Sequence, residues 1–436
     1  MKNKFMFANV FVMAIGILVL GTFGFGQAPT TAKKIVVHAG QMLDVKSGRM
    51  LANQNIYVEG DKITRVEAGA APAAAGWQVI DLSNATVVPG LIDCHVHLTM
   101  NPSFGYQQLG VSEARETLIG AANARKTLMA GFTTVRNVGA SGFTDVALRD
   151  AINDGDVPGP RMLVSGPPLS ITGGHGDNNL LPWEYHKSSD GVADGVEGVQ
   201  RKVRENIKYG ADVIKFMASG GVLSKGDNPQ ASQYTLEEMK MIVSEAHRLG
   251  RKVASHAHGA QAILWATEAG VDSIEHGSYI NDEDIAAMKQ HGTYLVPTMY
   301  LQEWLLENMQ TIHLPEFLAM KAREVLPAAK KNLAHALQSG VKVALGTDAA
   351  VYPHGLNAHE FNTMVQAGLS PLASIQAGTL NAADLLGWSD KVGTIEPGKW
   401  ADMVAVDGDP VKDVRTLENV KFVMKGGEVY KNEYAK

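Results

Sequence analysis

Strand and helix patterns alternate along the chain between residues 89 and 390, and this alternation limits the possible folds more than any other feature. Helical periodicity, for example over Leu236–Leu249 and Pro315–Gln338, fills the gaps between short apolar segments. Eight such segments are predicted to be strands: Leu91–His97, Thr133–Val138, Arg161–Gly166, Asp212–Met217, Lys252–Ala257, Ser273–His276, Tyr294–Thr298 and Lys342–Asp348. Eight β/α units predict an α/β fold, a (β/α)8 barrel of the TIM type, with a doubly wound sheet as the alternative.

The two ends of the remaining chain carry short β-patterns. We predict that residues 33–88 and 391–436 together form one small β-sandwich domain, because chain termini often lie close together. Gly426-Gly427 is typical of a hairpin turn. The β-rich segments are Lys34–His38, Asn55–Val58, Lys62–Val66, Met403–Val406 and Val420–Met424.

Residues 1–32 have the pattern of a signal peptide and linker. Lys2 and Lys4 precede an uncharged stretch, Phe5–Ala32, which ends in small residues such as Gly26 and Ala28. We therefore expect a periplasmic or secreted protein with no stable membrane span after cleavage. An uncleaved membrane anchor is the alternative, because the stretch is long enough to cross a bilayer.

Charge and cysteine content exclude several classes of protein. The net charge of -6 and the absence of a Lys/Arg-rich run argue against a nucleic-acid partner. One cysteine, Cys94, excludes an internal disulfide and a cysteine-rich zinc module.

Polar side chains that would be costly to bury alone lie at or near the ends of the predicted strands. In a barrel, the carboxyl ends of the strands form the active site. The residues in question are His95, His97, Lys215, His256, His276 and Asp348. Together they predict a set of metal ligands.

Strand geometry supports His95 and His97 as a pair of metal ligands. It also makes the position of Lys215 unusual. His95 and His97 are two residues apart and so share one face of a strand, whereas Cys94 points the other way. Lys215 lies inside an apolar strand, where a buried amine tends to lose its proton. A neutral amine can take up carbon dioxide to form a carbamate, which would be a bridging ligand. The alternative is a lysine that extends to solvent from an edge strand.

The other three predicted metal ligands are weaker evidence for a metal site when each is taken alone. His256 or His276 could be a hydrogen-bonded structural histidine. Asp348 could be a turn or helix-capping aspartate. The set as a whole is much more specific than any one of its members.

The chain resembles the amidohydrolase superfamily, and within it the secreted Xaa-Pro dipeptidase/imidazolonepropionase-like group. One departure is Asn137, where many relatives have aspartate. The matching stretches are Pro89–His97, Gly131–Gly139, Ile171–Asp177, Val213–Val222, Val253–Gly259, Ser273–Gly277, Leu345–Asp348 and Gly393–Asp402.

This resemblance implies two divalent metal ions, usually zinc, in one centre. His95, His97 and Asp348 would bind the buried ion, and His256 and His276 the more exposed one. Lys215, carboxylated at its side-chain nitrogen, would bridge both. Imidazolonepropionases use a single metal and lack this lysine, so Lys215 argues against that activity.

The expected reaction is amide hydrolysis by a hydroxide held between the two metals. Asp348 would take the proton of the attacking water and pass it to the leaving amine. A covalent mechanism has little support, because Cys94 faces away from the site and no Gly-x-Ser-x-Gly motif is present.

Four further residues are candidate substrate contacts. By resemblance, His175 and Tyr234 would hold the substrate carbonyl or its carboxylate, with a loop hydrogen bond and simple packing as the alternatives. His175 is also the reserve candidate for the catalytic base. Arg136 would pair with a substrate carboxylate or form a structural ion pair. His258 shares the strand face of His256.

We expect the substrate to be a small-molecule amide, either a dipeptide or an N-acyl amino acid with a free carboxylate on the leaving side. The family it resembles cleaves Xaa-Pro and other C-terminal residues, and some members open aryl amides such as ochratoxin. A cyclic amide or lactam hydrolase and a non-catalytic secreted metal-binding protein are the alternatives. We also expect a homo-oligomer.

Overall fold

The computed structural model describes residues 33–72 and 76–435. The predicted signal peptide and linker, residues 1–32, lie outside these residues. No helix in the described part of the chain combines the length and the apolar character that a membrane crossing requires.

The strands and helices follow one another largely as predicted. The strands are β1 (Lys34–Asp44), β2 (Arg49–Glu59), β3 (Lys62–Ala68), β4 (Gln78–Pro89), β5 (Leu91–Val96), β6 (Phe132–Asn137), β7 (Arg161–Val164), β8 (Val213–Met217), β9 (Lys252–Ala257), β10 (Ser273–His276), β11 (Tyr294–Val296), β12 (Met403–Val406), β13 (Phe422–Lys425) and β14 (Glu428–Asn432). The helices are α1 (Glu113–Met129), α2 (Thr144–Asp154), α3 (Gly195–Lys208), α4 (Leu236–Arg248), α5 (Ala260–Ala269), α6 (Asp282–His291), α7 (Met299–Asn308), α8 (Glu316–Gln338), α9 (His359–Gln366), α10 (Pro371–Ala377) and α11 (Leu380–Leu385).

The β-strands from the two chain ends form one sheet of seven strands, in the order β14-β13-β12-β4-β1-β2-β3. The predicted β-sandwich of two stacked sheets is therefore replaced by a single sheet. The reason is the length of β4, whose 12 residues pair with β1 and, near Pro89, also with β12. The edge strand β3 also lies beside the segment that precedes β12, because Lys62 forms an isolated antiparallel bridge with Trp400.

The predicted central strands form two parallel sheets, β5-β6-β7 and β11-β10-β9-β8. The predicted eighth strand, Lys342–Asp348, is not a regular strand. Leu345 N donates to Ala377 O at the end of α10, so this backbone group does not pair with a neighbouring strand. Single parallel bridges still connect the segment: Leu295 with Val343, and Val96 with Ala349.

Helix α4 shows amphipathic periodicity and capping acting together. Helix α4 starts at a capping box in which Thr235 and Glu238 satisfy each other's backbone N–H groups, and it buries Met239, Ile242 and Val243. The described residues form one compact unit. The domain boundaries proposed at residues 88/89 and 390/391 stay predictions.

Candidate active site

All six predicted metal ligands line one cavity of about 560 Å³. His95, Lys215, His256 and His276 lie on parallel strands of the two sheets, at or near their carboxyl ends; His97 directly follows β5, and Asp348 ends the segment that bridges to it. Residues that are far apart in sequence are brought together there: His95, His97, Lys215, His256, His276 and Asp348.

Asp348 lies between the two histidines of β5 and its continuation. Its Oδ1 is 3.5 Å from His95 Nε2 and 3.3 Å from His97 Nε2. Ligand atoms of His95, His276 and Asp348 all lie within 4.8 Å of one another. Burial raises the pKa of Asp348, but His95 and His97 outweigh burial and hold it well below its usual value. The carboxylate is therefore ionised and ready to bind a cation.

The histidines of the β5 motif are oriented by partners on their other ring nitrogen. His95 Nδ1 lies 2.8 Å from Glu275 Oε2, and His97 Nδ1 lies 3.0 Å from Gly139 O. Because both partners are acceptors, each Nδ1 donates, and each Nε2 is turned toward Asp348 Oδ1. This arrangement is typical of histidines that bind a metal through Nε2.

The two later histidines present different ring nitrogens. His276 Nδ1 contacts Thr298 Oγ1 at 2.8 Å, which leaves its Nε2 for a ligand. His256 instead places Nε2 at 3.3 Å from Gly220 O and leaves Nδ1. Burial comes first among the causes that hold the pKa of both rings well below 6.5, so both are neutral. Neutral imidazole is the form that binds metals.

Lys215 is a buried amine in the wall of this cavity. Burial lowers its pKa to about 8, although Glu275 and Asp348 act in the opposite direction. Among the described residues, no acceptor forms a hydrogen bond or ion pair with its Nζ. Such a group is costly to keep as a lone ammonium in the interior. The donor set of four imidazoles, a carboxylate and this amine fits divalent metal ions.

The backbone is strained at two of these positions. His276 has φ of 71° and Asp348 has φ of 56°, which are left-handed values that side chains with a Cβ rarely adopt. Thr298, the partner of His276, has φ of 48°. Strain of this kind persists where the surrounding contacts hold a residue in place, and it is frequent at functional sites.

Glu275 is a site residue that the sequence analysis missed. Its Oε1 accepts from Arg136 Nη2 at 2.7 Å, and its Oε2 accepts from His95. The available signal was a charged residue inside the buried strand β10, directly before His276.

The guanidinium of Arg136 is engaged in contacts within the protein. It also donates to Cys94 O at 2.6 Å and to Ser273 Oγ at 3.0 Å, and it does not line the site cavity. This placement matches the ion-pair alternative and not the substrate contact.

Of the four candidate substrate contacts, His175 lines the cavity. Its ring centroid lies 4.3 Å from that of His256. Tyr234 and His258 are buried away from the cavity surface. The hydroxyl of Tyr234 donates to a main-chain carbonyl at 3.0 Å, and His258 Nδ1 contacts Ser278 Oγ at 2.7 Å. The position of Tyr234 thus agrees with the alternative interpretation, a residue that packs inside the protein.

His175 is held by a polar network that the sequence analysis did not identify. Its Nδ1 lies 2.8 Å from Ser224 Oγ, and Ser224 Oγ donates to Asp227 Oδ1 at 2.6 Å. Lys321 Nζ donates to the same oxygen at 2.8 Å. Burial lowers the pKa of His175 to about 4, so the ring is neutral near pH 7.

Polar residues clustered at the carboxyl ends of parallel strands define a class of α/β enzymes with the site at that end. The chain belongs to the amidohydrolase family, whose profile matches residues 86–430. It is accordingly a hydrolase that acts on carbon–nitrogen bonds.

Individual relatives agree with this family over most of the chain. The sequence is 35% identical to the ochratoxinase of Aspergillus niger over 426 residues, which cover 92% of this chain and 87% of the relative. A crystal structure of a Xaa-Pro dipeptidase with methionine in its active site is 39% identical, with a TM-score of 0.88, and covers 92% of this chain and 100% of that one. A prolidase complexed with N-methylphosphonate-L-proline is 31% identical, with a TM-score of 0.85 and the same coverage.

Proposed function

We propose that the protein is a secreted or periplasmic amidohydrolase with two metal ions, and that it cleaves the amide bond of a dipeptide or an N-acyl amino acid. One observation carries the proposal: six candidate metal ligands from β5, β8, β9, β10 and the segment that ends at Asp348 line a single cavity. The location rests on the signal-like segment Phe5–Ala32. The substrate class rests on the relatives, which include a dipeptidase, a prolidase and an ochratoxinase.

The barrel forms part of this proposal. The isolated bridges of the Lys342–Asp348 segment to β11 and β5 support it as the eighth strand. A further bridge, between Leu169 and Phe216, joins the segment after β7 to β8. We infer that these contacts close a (β/α)8 barrel around the cavity.

The donor set divides between two divalent ions, for which zinc suits the imidazole and carboxylate ligands. His95, His97 and Asp348 would hold one ion, and His256 and His276 the other. Lys215, carboxylated on Nζ, would contact both and would replace a buried cation by an anion. When bound, the ions would polarise the substrate carbonyl and lower the pKa of a water molecule at the site.

The chain's own groups would handle the protons. Asp348 is ionised and can accept a proton from the attacking water, then donate it to the leaving nitrogen. The hydrogen bonds of His175 favour a different substrate contact from the one expected. Because Ser224 donates to the Asp227 carboxylate, His175 Nδ1 must donate to Ser224, and Nε2 is left as an acceptor. Nε2 of His175 would therefore accept a hydrogen bond from an N–H or O–H group of the substrate and would not contact the carbonyl oxygen.

A substrate panel tests the activity. Purified protein, treated with chelator or loaded with zinc, is assayed for amine release from Xaa-Pro and other dipeptides, N-acyl amino acids, ochratoxin and a lactam. We expect metal-dependent hydrolysis of open-chain amides whose leaving group carries a free carboxylate. Cleavage of the lactam alone would overturn the substrate class, and metal binding without any turnover would overturn the enzymatic role.

Metal analysis tests the two-ion centre. We expect two ions per chain, and Lys215→Ala should lose metal and most activity. Bicarbonate with a short-chain acid should restore part of the activity. Lys202→Ala, on α3, is the matched control, because Lys202 forms only an ion pair with Glu205 outside the cavity. One ion per chain together with a fully active Lys215→Ala would contradict the proposal.

N-terminal sequencing of protein from its host tests the location. We expect the mature chain to start between about Gln27 and Thr31. Recovery of intact Met1 in the membrane fraction would contradict this part of the proposal.

A further inference from the structure

A second cavity of about 900 Å³ lies at the opposite end of the parallel strands from the active site. On β8, Val213 lines the second cavity and Lys215 the first; on β9, Lys252 lines the second and His256 the first. Four residues along a strand span roughly 13 Å. The two cavities share no lining residue, so the second one is a separate feature of the molecule.

The charge of this second cavity is strongly one-sided. Six cationic side chains line it, against two acidic ones, Asp150 and Asp212. Four of the six cations have a carboxylate partner: Arg136, Arg149, Arg161 and Lys252. The other two, Arg251 and Lys391, form no ion pair with any described residue. Two uncompensated positive charges in one concave site favour the binding of an anion.

The two unpaired cations also have the capacity to bind a ligand. Arg251 donates through Nε to Ala211 O at 2.8 Å and through Nη1 to Leu249 O at 3.4 Å. Its Nη2 is available to a ligand. Lys391 Nζ has no hydrogen-bond partner among the described residues, and lies 5.3 Å from the ring centre of Trp388. An ammonium and a guanidinium group are the donors that bind carboxylates most strongly.

Aromatic surface distinguishes this cavity from a simple ion site. Trp388 and Trp400 both line it, with ring centroids 5.6 Å apart and planes at 79°. The guanidinium of Arg161 covers the Trp400 ring at 4.0 Å, and the ammonium of Lys391 lies over the Trp388 ring at 5.3 Å. Both rings are half-buried, so part of Trp388 stays accessible. A ligand with a flat apolar part can therefore pack on Trp388 while its charge meets Lys391. The volume is that of a small-molecule site and exceeds the need of a single inorganic ion.

We propose that the second cavity binds a small aromatic carboxylate, with Arg251 and Lys391 on its carboxylate and Trp388 against its ring. This site lies outside the catalytic machinery and does not depend on the substrate of the enzyme.

Calorimetric titration of the metal-loaded protein with 1-naphthoate tests the proposal. We expect binding in the second cavity that is weakened about tenfold or more by Arg251→Ala and by Lys391→Glu, since loss of a charged contact has roughly this effect. Lys391→Glu breaks no described side-chain hydrogen bond, so it remains informative if Arg251→Ala disturbs the chain near Ala211. Lys412→Glu, at an exposed lysine outside the cavity, is the control.

Neutral 1-naphthamide and inorganic phosphate complete the experiment. Both should bind at least several-fold more weakly than naphthoate, because one lacks the charge and the other the ring. Binding to the active site is recognised by loss in His256→Ala, which should leave the second cavity intact. Naphthoate binding that depends on His256 and not on Arg251 or Lys391, or equal binding of either control ligand, would overturn the proposal.

Discussion

Glu275 Oε2 lies 2.8 Å from His95 Nδ1, and the other oxygen of the same carboxylate lies 2.7 Å from the guanidinium of Arg136. All three side chains are buried. Burial raises the pKa of Glu275, but Arg136 and His95 outweigh it and lower the pKa to about 2. An ionised carboxylate therefore fixes the tautomer and the ring orientation of a proposed metal ligand.

The change Glu275→Gln should weaken metal binding by roughly 10- to 100-fold, the usual effect of losing such a supporting carboxylate. It also leaves Arg136 buried without its counter-charge, which costs on the order of 3 kcal/mol of folding free energy. Competition with a chromogenic chelator measures metal affinity, and denaturant unfolding measures stability. Glu283→Gln, an exposed acid on α6, is the control. Unchanged metal affinity in a folded Glu275→Gln protein would refute the supporting role.

The change Asp348→Asn should lower turnover far more than it weakens substrate binding. Asparagine keeps the shape and one ligand oxygen but cannot carry a proton. General acid–base catalysis contributes roughly 100- to 10,000-fold, which sets the expected loss in kcat. Steady-state kinetics with metal analysis of the same sample checks this. A variant that keeps its metal and turns over within a few-fold of the native protein would require another base, and His175 would be the first to test.

The change Gly221→Ala should displace His175. A Cβ at this position would lie 2.1 Å from His175 Nδ1, so the ring must move and lose its contact with Ser224. We expect KM to rise while the metal content stays that of the native protein. Gly198→Ala is the control, because its added methyl would meet its nearest atom at 3.9 Å. A native KM in Gly221→Ala would show that the position of His175 has no part in substrate binding.

Glu245 provides a test of pH-dependent stability away from the site. Hydrogen bonds from Arg248 and Arg204 lower its pKa from 4.5 to about 2. Because the folded-state pKa is below the unfolded one, the stabilisation is complete above about pH 4.5 and disappears as the pH falls through about 2. Glu245→Gln should therefore be less stable than the native protein at pH 7.

The deficit of Glu245→Gln should shrink between pH 4.5 and pH 2, as followed by urea unfolding at each pH. Glu237→Gln, on the same helix and with no ion pair among the described residues, should show no such trend. A deficit in Glu245→Gln that stays constant over this range would contradict the ion-pair explanation.

The sequence predicted the candidate metal ligands because the relevant pattern is local. Alternation along a strand decides that His95 and His97 share a face. An apolar run around Lys215 indicates burial whatever its neighbours are. Seven of the predicted central strands appear in the two parallel sheets, and the α4 helix begins at the predicted Leu236.

Contacts between distant segments were decided by the tertiary structure alone. The sequence left two possible partners for Arg136, a substrate carboxylate or a structural ion pair. The packing of β6 beside β5 and near β10 brings it to Glu275. Tyr234 and His258 have side chains that could bind a substrate. The Tyr234 hydroxyl instead donates to Ala193 O, and His258 Nδ1 contacts Ser278 Oγ. The single sheet in place of a sandwich likewise depends on β4 pairing with both chain ends.

The sequence by itself thus determined which side chains could bind metal and which strand ends carry them, because side-chain alternation and apolar runs are properties of neighbouring residues. The tertiary structure decided which of these groups face the cavity, which are used up by internal hydrogen bonds, and where Arg251, Lys391 and Trp388 form a second cavity. Those outcomes depend on distances between residues far apart in the chain, and only the packed fold sets such distances.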